Sequence, residues 1–493
     1  MSSALFTDFY QLTMAAAYWK SGTAAKEAVF QAFFRRHPFH GGFTVACGLA
    51  DAIVWLETLR FSGEDLVYLG TLRGSDGRTL FEPGFLEYLS RLEWSCDMDA
   101  VPEGTVVFPQ EPLVRVQGPI LQCQLIETAL LNILNFQSLI ATKAARVCLA
   151  AHGGPVIEFG LRRAHGPDGG LSASRAAFVG GCAATSNTLA GQRFGIPVRG
   201  THAHSWVMAF DTEEESFRAY ADAMPHNAIF LVDTYGTLEG VRRAIEAGRR
   251  LRERGHSLAG IRLDSGDLAW LSQQARQLLD EAGFSEAVIL ASNDLDETII
   301  ASLKEQGAKI GAWGVGTRLV TAFDEPALGG IYKLTAVREP GGQWKPKIKL
   351  SEQTAKTSAP GMQQVRRFSV DGRYIGDAIY DLLDGPAEQW TIVAADDPGR
   401  RKTFPAGVAG EDLLVPVFRG GRRVYDPPPL ATSRERTMQQ LGALDATVKR
   451  LLNPHVYPAG LELRLHEHRQ RMIAEMRHAG RSSKSWARIP ESS

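Results

Sequence analysis

The stretch LAGIRLDSGDLAWLSQQARQLLDEAGF (258–284) contains the repeating unit that decides the fold. An apolar run comes first, a short polar turn follows, and the remainder has apolar residues at helical spacing up to Gly283. A glycine just after a periodic segment is a common helix stop signal. The stretch therefore predicts one strand, one turn and one helix.

Similar apolar runs recur further along the chain, with helix-like segments between them. They are PVIEFG (155–160), IPVRG (196–200), AIFLVD (228–233), LAGIRLD (258–264), AVILAS (287–292) and KIGAWGVG (309–316). Strands that alternate with helices are typical of parallel sheets. These runs predict an α/β fold built on an incomplete or TIM-like (α/β) barrel.

The chain has 493 residues, which exceeds the usual size of one domain. We predict an N-terminal α+β domain (1–150), an α/β-barrel catalytic domain (151–345), and a C-terminal domain with its tail (346–493) that packs back. The polar stretch from Arg477 onward is expected to be frayed.

The composition is that of an ordinary globular protein, with 44% hydrophobic and 22% charged residues and a formal net charge of -1. This balance predicts neither nucleic acid nor a membrane as a partner. The five cysteines are scattered and form no CxxC pair, which favours a reducing compartment. No apolar run approaches the ~20 residues of a membrane helix, and the first residues do not resemble a signal peptide, so we expect a cytoplasmic location.

Polar side chains follow every predicted strand. Because the C-terminal ends of parallel strands open on one side of a barrel, we expect them to meet at one edge, here named the carboxyl edge. Exposed strand ends are often polar without a function, but that explains one or two strands more easily than all of them. The residues concerned are Arg162, Arg163, His202, His204, Ser205, Asp233, Thr234, Arg262, Asp264, Ser265, Asn293, Asp294, Gly314, Gly316 and Thr317.

His202 and His204 stand one residue apart in GTHAHSWVMAF (200–210). If the preceding strand continues through them, alternation places both side chains on one face. Such a pair suits a metal site, a nucleophile with its partner, or the end of a strand.

A metal-dependent TIM-barrel hydrolase is the minority reading of this pair. A zinc or two-metal shell needs further ligands from later strand ends. His226 precedes its strand and His256 lies in a loop at the opposite edge, so neither supplies one. Asp233 and Asp264 can still hold magnesium through water, which is a different chemistry.

The segment GAWGVGTRLVT (311–321) places glycines after the last strand, where backbone N–H groups can cradle a phosphate. A tight turn into a helix explains the glycines equally well. Arg318, Lys333 and the basic run KPKIKLSEQTAK (345–356) favour the phosphate reading, since such side chains fix phosphates by charge-assisted hydrogen bonds.

Arg162 and Arg262 would face the same edge and suit an anionic group such as a carboxylate. Phe159 can stack on a flat ring, or it belongs to the barrel core. In the RLDSGD turn, Asp264 suits sugar hydroxyls or magnesium, whereas Asp267 is placed to cap the next helix. The edge as a whole therefore suits a phosphorylated sugar and a flat acid.

Motifs along most of the chain resemble those of the nicotinate phosphoribosyltransferase family. The matching segments are TDFYQLTM (7–14), FFRRHPF (33–39), NFQSLIATKAARV (135–147), EFGLRRAHGPDGG (158–170), ATSNTLAG (184–191), GTHAHSWVMAF (200–210), LVDTYGT (231–237), IRLDSGDL (261–268) and GVGTRLVT (314–321). The resemblance implies transfer of phosphoribosyl from phosphoribosyl pyrophosphate to nicotinate in NAD salvage, coupled to ATP hydrolysis with Mg²⁺. It also implies a phosphoprotein and a ligase-classified glycosyltransferase.

The resemblance assigns His204 as the histidine that takes the γ-phosphate of ATP, and it leaves His202 without a role. It implies a homodimer, because Tyr10 would reach the active site of the partner subunit and sandwich the pyridine ring with Phe159. The other implied contacts are Arg162 and Arg262 for the carboxylate; Asp264 and Asn293 for ribose; Asp233 for magnesium or pyrophosphate; Gly314, Gly316, Thr317 and Arg318 for phosphate; and Lys333, Lys349 and Arg36 as weaker phosphate candidates. No direct protein cage for a metal is expected, and magnesium would be held through Asp233 or substrate phosphates.

Asn187 bears on the choice between acid and amide substrates. The related nicotinamide enzyme resembles this chain but carries an aspartate where we place Asn187. An asparagine avoids repelling a carboxylate, which favours nicotinate over nicotinamide. A nicotinamide phosphoribosyltransferase stays the first alternative, and the GTHAHS motif argues against a quinolinate enzyme.

Overall fold

A computed structural model of the chain describes residues 3–351, 357–395 and 397–483. The α-helices of this part are α1 (Phe9–Lys20), α2 (Leu49–Glu57), α3 (Gly63–Thr71), α4 (Pro83–Ser90), α5 (Ile120–Leu125), α6 (Glu127–Ala150), α7 (Gly166–Val179), α8 (Thr188–Phe194), α9 (His204–Met208), α10 (Glu213–Ala223), α11 (Thr237–Glu253), α12 (Leu268–Glu281), α13 (Glu297–Glu305), α14 (Thr317–Val320), α15 (Leu430–Ala443) and α16 (Leu463–Ser483). Two short 3-10 helices span Pro38–His40 and Leu161–Arg163.

The strands of the same part are β1 (Glu27–Phe34), β2 (Thr44–Val45), β3 (Asp97–Ala100), β4 (Val106–Val107), β5 (Val114–Pro119), β6 (Val156–Glu158), β7 (Ala184–Thr185), β8 (Ile229–Leu231), β9 (Gly260–Leu263), β10 (Val288–Ala291), β11 (Ala312–Val315), β12 (Gly330–Arg338), β13 (Lys345–Pro346), β14 (Gln363–Val370), β15 (Arg373–Asp381), β16 (Thr391–Val393), β17 (Arg401–Thr403), β18 (Ala409–Asp412), β19 (Val415–Arg419), β20 (Arg422–Arg423) and β21 (Ala459–Glu462).

The chain divides into two compact units. The barrel unit comprises residues 137–327 and 429–438, and the mixed unit comprises residues 1–136, 328–428 and 439–493. The predicted domain borders at residues 150 and 345 divide the sequence into continuous segments, whereas each compact unit contains several segments, so these borders stay a prediction. In space, strands from the beginning, middle and end of the chain share one sheet of the mixed unit.

The barrel unit is built on a six-stranded sheet in the order β7-β6-β11-β10-β9-β8, and its neighbouring strands pair in parallel. Within the described residues β7 and β8 do not pair, so the sheet stays open. This confirms the predicted incomplete barrel. The run IPVRG was wrongly predicted to be a strand: it contributes an isolated bridge between Val198 and Thr185, and β7 takes its place in the sheet.

Local chemistry explains the helix starts that follow these strands. Asp267 caps α12 by accepting a hydrogen bond from Trp270 N at 3.0 Å, as predicted. Asp296 caps α13 in the same way, with a distance of 2.8 Å to Ile299 N. Each cap begins a helix immediately after the turn at the carboxyl edge, so the turns that carry the polar side chains are short and fixed at both ends.

The mixed unit contains two larger sheets, in the orders β13-β12-β1-β5-β3-β19-β20 and β17-β16-β21-β15-β14-β18, and the pair β2-β4. Strand β12, which lies within the predicted barrel segment, pairs antiparallel with β1. The stretch predicted to be frayed from Arg477 is helical through Ser483, and its remainder lies outside the described residues. No helix of the described residues is long and apolar enough to cross a membrane.

Candidate active site

Arg262 lies at the centre of the carboxyl edge and is fixed there by three side chains. Its Nε donates to Ser292 Oγ at 2.8 Å, Nη1 to Thr201 Oγ1 at 3.2 Å, and Nη2 to Asp264 Oδ1 at 2.9 Å. Its guanidinium lies 5.7 Å from the centre of the Phe159 ring. Arg262, which was predicted to bind the carboxylate of the substrate, therefore already donates most of its hydrogen bonds to other protein side chains.

Asp264 accepts hydrogen bonds from Arg262 and, in a short contact, from the Ser292 hydroxyl. Burial acts to raise the pKa of Asp264, but the Ser292 hydrogen bond and the Arg262 charge outweigh it and lower that pKa below its usual range. Asp264 is thus held as a carboxylate. Its second oxygen, Oδ2, lies 3.7 Å from His204 Nε2.

Asp233 lies just after the neighbouring strand β8, and one of its two carboxylate oxygens is satisfied within the protein. Its Oδ2 accepts from Asp264 N at 2.9 Å and from Ser265 Oγ at 2.5 Å. Its Oδ1 is buried, and no hydrogen-bond partner for it lies in the described part of the chain. A buried carboxylate oxygen of this kind fits one ligand position of a hard cation or of a water that such a cation holds.

The two histidines do not share a face, contrary to the prediction. Residues 201–203 are not a strand, and α9 begins at His204, so strand alternation does not apply to the pair. His204 is 42% exposed in its side chain, and its Nδ1 lies 3.2 Å from Thr234 Oγ1. Thr234 lies in the turn after β8, and the sequence analysis placed it at the carboxyl edge without a specific role.

His202 is buried instead, with its ring against aromatic side chains that include Tyr220 at 4.8 Å between ring centres. Its Nε2 accepts a hydrogen bond from Leu231 N at 3.3 Å, and its Nδ1 lies 3.5 Å from Ala203 O. Burial lowers the pKa of His202 to about 4, so the ring stays neutral. The imidazole thus pairs with the backbone of the edge strand β8, and its accepting nitrogen is not available to a metal.

Phe159 and Arg162 follow β6. Phe159 is half-buried, and its backbone N donates to Val315 O of the adjacent strand at 2.8 Å. Arg162 lies in the 3-10 helix and is exposed, and no hydrogen bond or ion pair of its side chain is found within the described ranges. Of the two predicted carboxylate ligands, Arg162 is therefore the one with free donors.

The phosphate-cradle prediction places Gly314 in a loop after the last strand. In the structure Gly314 lies inside strand β11. A Cβ on Gly314 would lie 2.6 Å from Phe159 Cδ2, so this glycine makes room for the ring. Gly316 is the N-cap of the short helix α14, which begins at Thr317. The adjacent Arg318 donates to Asp296 Oδ2 at 2.7 Å.

Asn187 and Asn293 occupy contrasting positions. Asn187 is buried, and its Oδ1 caps α8 at 3.2 Å from Ala190 N. Its Nδ2 donates to Ser174 Oγ at 3.1 Å. Asn293 is exposed, with a positive φ of 90°, and is free to meet a ligand from the turn after β10.

Tyr10, Lys333 and Lys349 belong to the mixed unit. Tyr10 is 47% exposed on α1, and burial and the Glu127 charge raise its pKa. Burial lowers the pKa of Lys333, and the charges of Lys349 and Arg35 act in the same direction, whereas Glu127 opposes them. This basic group is the mixed unit's candidate for phosphate.

Arg36, the predicted member of that group, is exposed at the turn after β1. Its neighbour Arg35 is the arginine whose charge acts on Lys333. Successive residues of an extended chain point to opposite sides, so a motif that contains two arginines does not decide which one faces the lysines. Among the described residues, no group of three or more His, Cys, Asp or Glu side chains is placed to hold a metal.

A parallel sheet whose carboxyl edge carries a half-exposed histidine, two aspartates and two arginines places the chain among the α/β-barrel proteins, whose active sites lie at that edge. Sequence models of nicotinate phosphoribosyltransferase match its N-terminal domain at residues 5–135, the family as a whole at 155–369 and its C-terminal domain at 362–469. The chain belongs to the nicotinate phosphoribosyltransferase family, which confirms the resemblance drawn from its motifs.

Relatives cover nearly the whole chain. Nicotinate phosphoribosyltransferase of Bacillus subtilis (strain 168) is 41% identical over 490 residues, which span 96% of this chain and 98% of the relative. The Homo sapiens protein of the same name is 36% identical over 524 residues, with 94% and 95% covered.

Solved structures agree with the fold. The crystal structure of human nicotinic acid phosphoribosyltransferase matches with a TM-score of 0.80 and 32% identity, over 94% of this chain and 99% of that chain. Nicotinate-nucleotide pyrophosphorylase from Pyrococcus furiosus matches with a TM-score of 0.69 and 22% identity, over 89% of this chain and 95% of that chain, and shares the fold.

Proposed function

We propose that this protein transfers the phosphoribosyl group of phosphoribosyl pyrophosphate to nicotinate in NAD salvage. The pyridine nitrogen forms a bond to the anomeric carbon of ribose, and pyrophosphate leaves with the electrons of the bond that breaks. The observation that carries the proposal is the fixed group of His204, Asp264, Arg262 and Asp233 at one edge of the sheet, in a chain of this family.

Nicotinate recognition is proposed to rest on Phe159 and Arg162. The half-buried Phe159 ring offers a face for the pyridine, and the free guanidinium of Arg162 suits the carboxylate. Arg262 acts one step away, because its donors hold Asp264 and Ser292. We also propose a homodimer in which the partner subunit's Tyr10 covers the second face of the ring.

The ribose and pyrophosphate would be held by Asp264, Asn293 and Asp233. The transition state carries oxocarbenium-like charge on ribose, which the carboxylate of Asp264 stabilises. The unpaired Oδ1 of Asp233 fits Mg²⁺, whose remaining ligands would be water and substrate phosphate oxygens. When bound, Mg²⁺ would neutralise the charge of the departing pyrophosphate.

ATP coupling is proposed to run through His204. Thr234 engages Nδ1, so Nε2 is the nitrogen left to attack the γ-phosphorus of ATP while ADP leaves with the electrons of the broken P–O bond. Water then hydrolyses the phosphohistidine. The half-exposed side chain gives the nucleotide access.

The first experiment measures pyrophosphate release with nicotinate, nicotinamide or quinolinate, each with and without ATP and magnesium. Of the three substrates, we expect only nicotinate to support pyrophosphate release, and we expect ATP to raise the rate of that release. His204→Ala should abolish the ATP stimulation and retain slow ATP-independent transfer, while His256→Ala, outside the carboxyl edge, should behave as the wild type. Retained ATP stimulation in His204→Ala would contradict the coupling, and release with nicotinamide alone would contradict the substrate.

Acid specificity is proposed to involve Asn187. An aspartate there keeps the cap of α8 but cannot donate to Ser174, and it adds a negative charge beside the nicotinate site. Asn187→Asp should therefore lower kcat/KM for nicotinate more than for nicotinamide, by about tenfold if the added repulsion costs ~1.4 kcal/mol. Equal nicotinate turnover in the variant would count against this assignment.

A further inference from the structure

We propose that Glu158 is a positioning residue that fixes the nicotinate subsite through a buried hydrogen-bond network. The proposal rests on the proposed function, because it assigns Phe159 and Arg162 to nicotinate. Glu158 is the last residue of β6 and is fully buried. It directly precedes the turn that carries both residues.

Three donors from three parts of the barrel unit converge on this carboxylate. Its Oε1 accepts a short hydrogen bond from Gly160 N in the turn itself. Its Oε2 accepts from Ser174 Oγ of α7 at 2.8 Å and from Thr185 Oγ1 of β7 at 2.6 Å. One side chain thus ties the turn to a helix and to a strand.

The network continues to Asn187. The amide of Asn187 donates to Ser174 Oγ, and its backbone N donates to Thr185 Oγ1 at 3.0 Å. Both hydroxyls therefore link the acid-specificity candidate to the ring-binding turn. A shift at either end is transmitted through groups that are all buried and hydrogen-bonded, because an unpaired buried group is costly.

This position requires a side chain whose two terminal atoms both accept hydrogen bonds. All three partners of Glu158 act as donors toward it, and no ion pair to it is found in the described ranges, so its two oxygens serve only as acceptors. A glutamine of the same shape keeps one oxygen for the hydroxyls but turns its NH₂ group toward Gly160 N. Two donors then face each other, and the turn with Phe159 must move.

The turn also has little room to adjust within its present position. A Cβ on Gly160 would lie 2.3 Å from Val320 Cγ1, so the backbone of the turn is packed closely against α14. Loss of the Glu158 bond is therefore expected to displace the turn away from α14. Displacement of a binding group by about 1 Å can cost up to 100-fold in rate.

The test is the effect of Glu158→Gln on the two substrates measured separately. We expect KM for nicotinate to rise about tenfold or more and KM for phosphoribosyl pyrophosphate to change less than about twofold. The control is Glu213→Gln, which removes another buried carboxylate, ion-paired to Arg243 at 3.0 Å on α10 and α11, and should leave both KM values unchanged. Equal changes for both substrates, or loss of active enzyme with unchanged KM, would overturn the proposal.

A second pair of variants keeps the proposal testable if Glu158→Gln does not fold. Thr185→Val removes one donor without changing the shape, and Thr185→Ser restores it. We expect the nicotinate KM to rise in the first and to return in the second, and equal KM values in the two would overturn the proposal. A wild-type enzyme that releases no pyrophosphate with nicotinate would instead reject the proposed function itself.

Discussion

Substitution of Gly314 by alanine should disturb the position of the Phe159 ring while the fold of the barrel unit is retained. Gly314 has no unusual backbone conformation, so an alanine is tolerated by the strand. The added Cβ would lie 2.6 Å from Phe159 Cδ2 and 2.7 Å from Cε2, against 3.4 Å for an ordinary contact. The Phe159 ring must therefore move by about 0.8 Å, because β11 is paired on both sides.

The expected magnitude follows from this displacement. Overpacking by one methyl group costs ~1–3 kcal/mol, and the variant can avoid that cost by swinging the Phe159 ring out of place. Nicotinate binding would then have to return the Phe159 ring to its stacking position, which costs the same free energy of overpacking. Since ~1.4 kcal/mol corresponds to tenfold, KM for nicotinate should rise about 5- to 150-fold.

The assay is the initial rate of pyrophosphate release with nicotinate varied, and then with phosphoribosyl pyrophosphate varied. The matched control is Gly311→Ala, just before β11, where a Cβ would meet only Val288 Cγ1 at an ordinary 3.4 Å. We expect the control to keep wild-type KM values. An unchanged nicotinate KM in Gly314→Ala, or an equal rise in both variants, would refute the role given to Phe159.

Two further predictions concern pH. Ser292→Ala removes a hydrogen bond that lowers the pKa of Asp264, so that pKa should rise and the acid limb of kcat/KM should move to higher pH; an unmoved limb would show that Asp264 does not set it. His202 has a pKa of about 4 in the folded protein, below the usual ~6.5, so its stabilising contribution is full above ~6.5 and is lost as pH falls toward 4. His202→Gln should therefore show a smaller fall in Tm between pH 7 and pH 4.5 than the wild type by calorimetry, and an equal fall would contradict a neutral, buried His202.

The carboxyl edge could be predicted from the sequence because it follows from topology alone. Strand–helix alternation implies parallel strands, and parallel strands end on one side. Asp233, Arg262 and Asp264 therefore had to meet, and they do so within hydrogen-bond distance. The cap at Asp267 was predictable for a similar reason, since it depends only on residues near in sequence.

Side-chain orientation where the chain leaves regular structure could not be predicted in this way. The face of His202 was misjudged because IPVRG forms one bridge and not a strand, which removes the alternation on which the prediction rested. The aromatic cluster that buries His202 is contributed by α10 and β8, and no local pattern in GTHAHS indicates it. Arg35 and Arg36 present the same difficulty, because the choice between them depends on the exact end of β1.

A physical criterion separates scaffold from ligand contacts among the predicted residues. Arg262 and Asn187 spend their polar groups on other protein atoms, so a ligand would have to break existing hydrogen bonds to reach them. In the described part of the chain the Arg162 guanidinium and Asp233 Oδ1 have no hydrogen-bond partner, and His204 Nε2 has only Asp264 Oδ2 at 3.7 Å, so a ligand can satisfy each of them without that cost. Removal of the first kind of residue should displace the ligand contacts that it positions, whereas removal of the second should delete a contact with the substrate itself. The motif alone cannot make this distinction, because it names the residue types and not the partners that three-dimensional packing supplies.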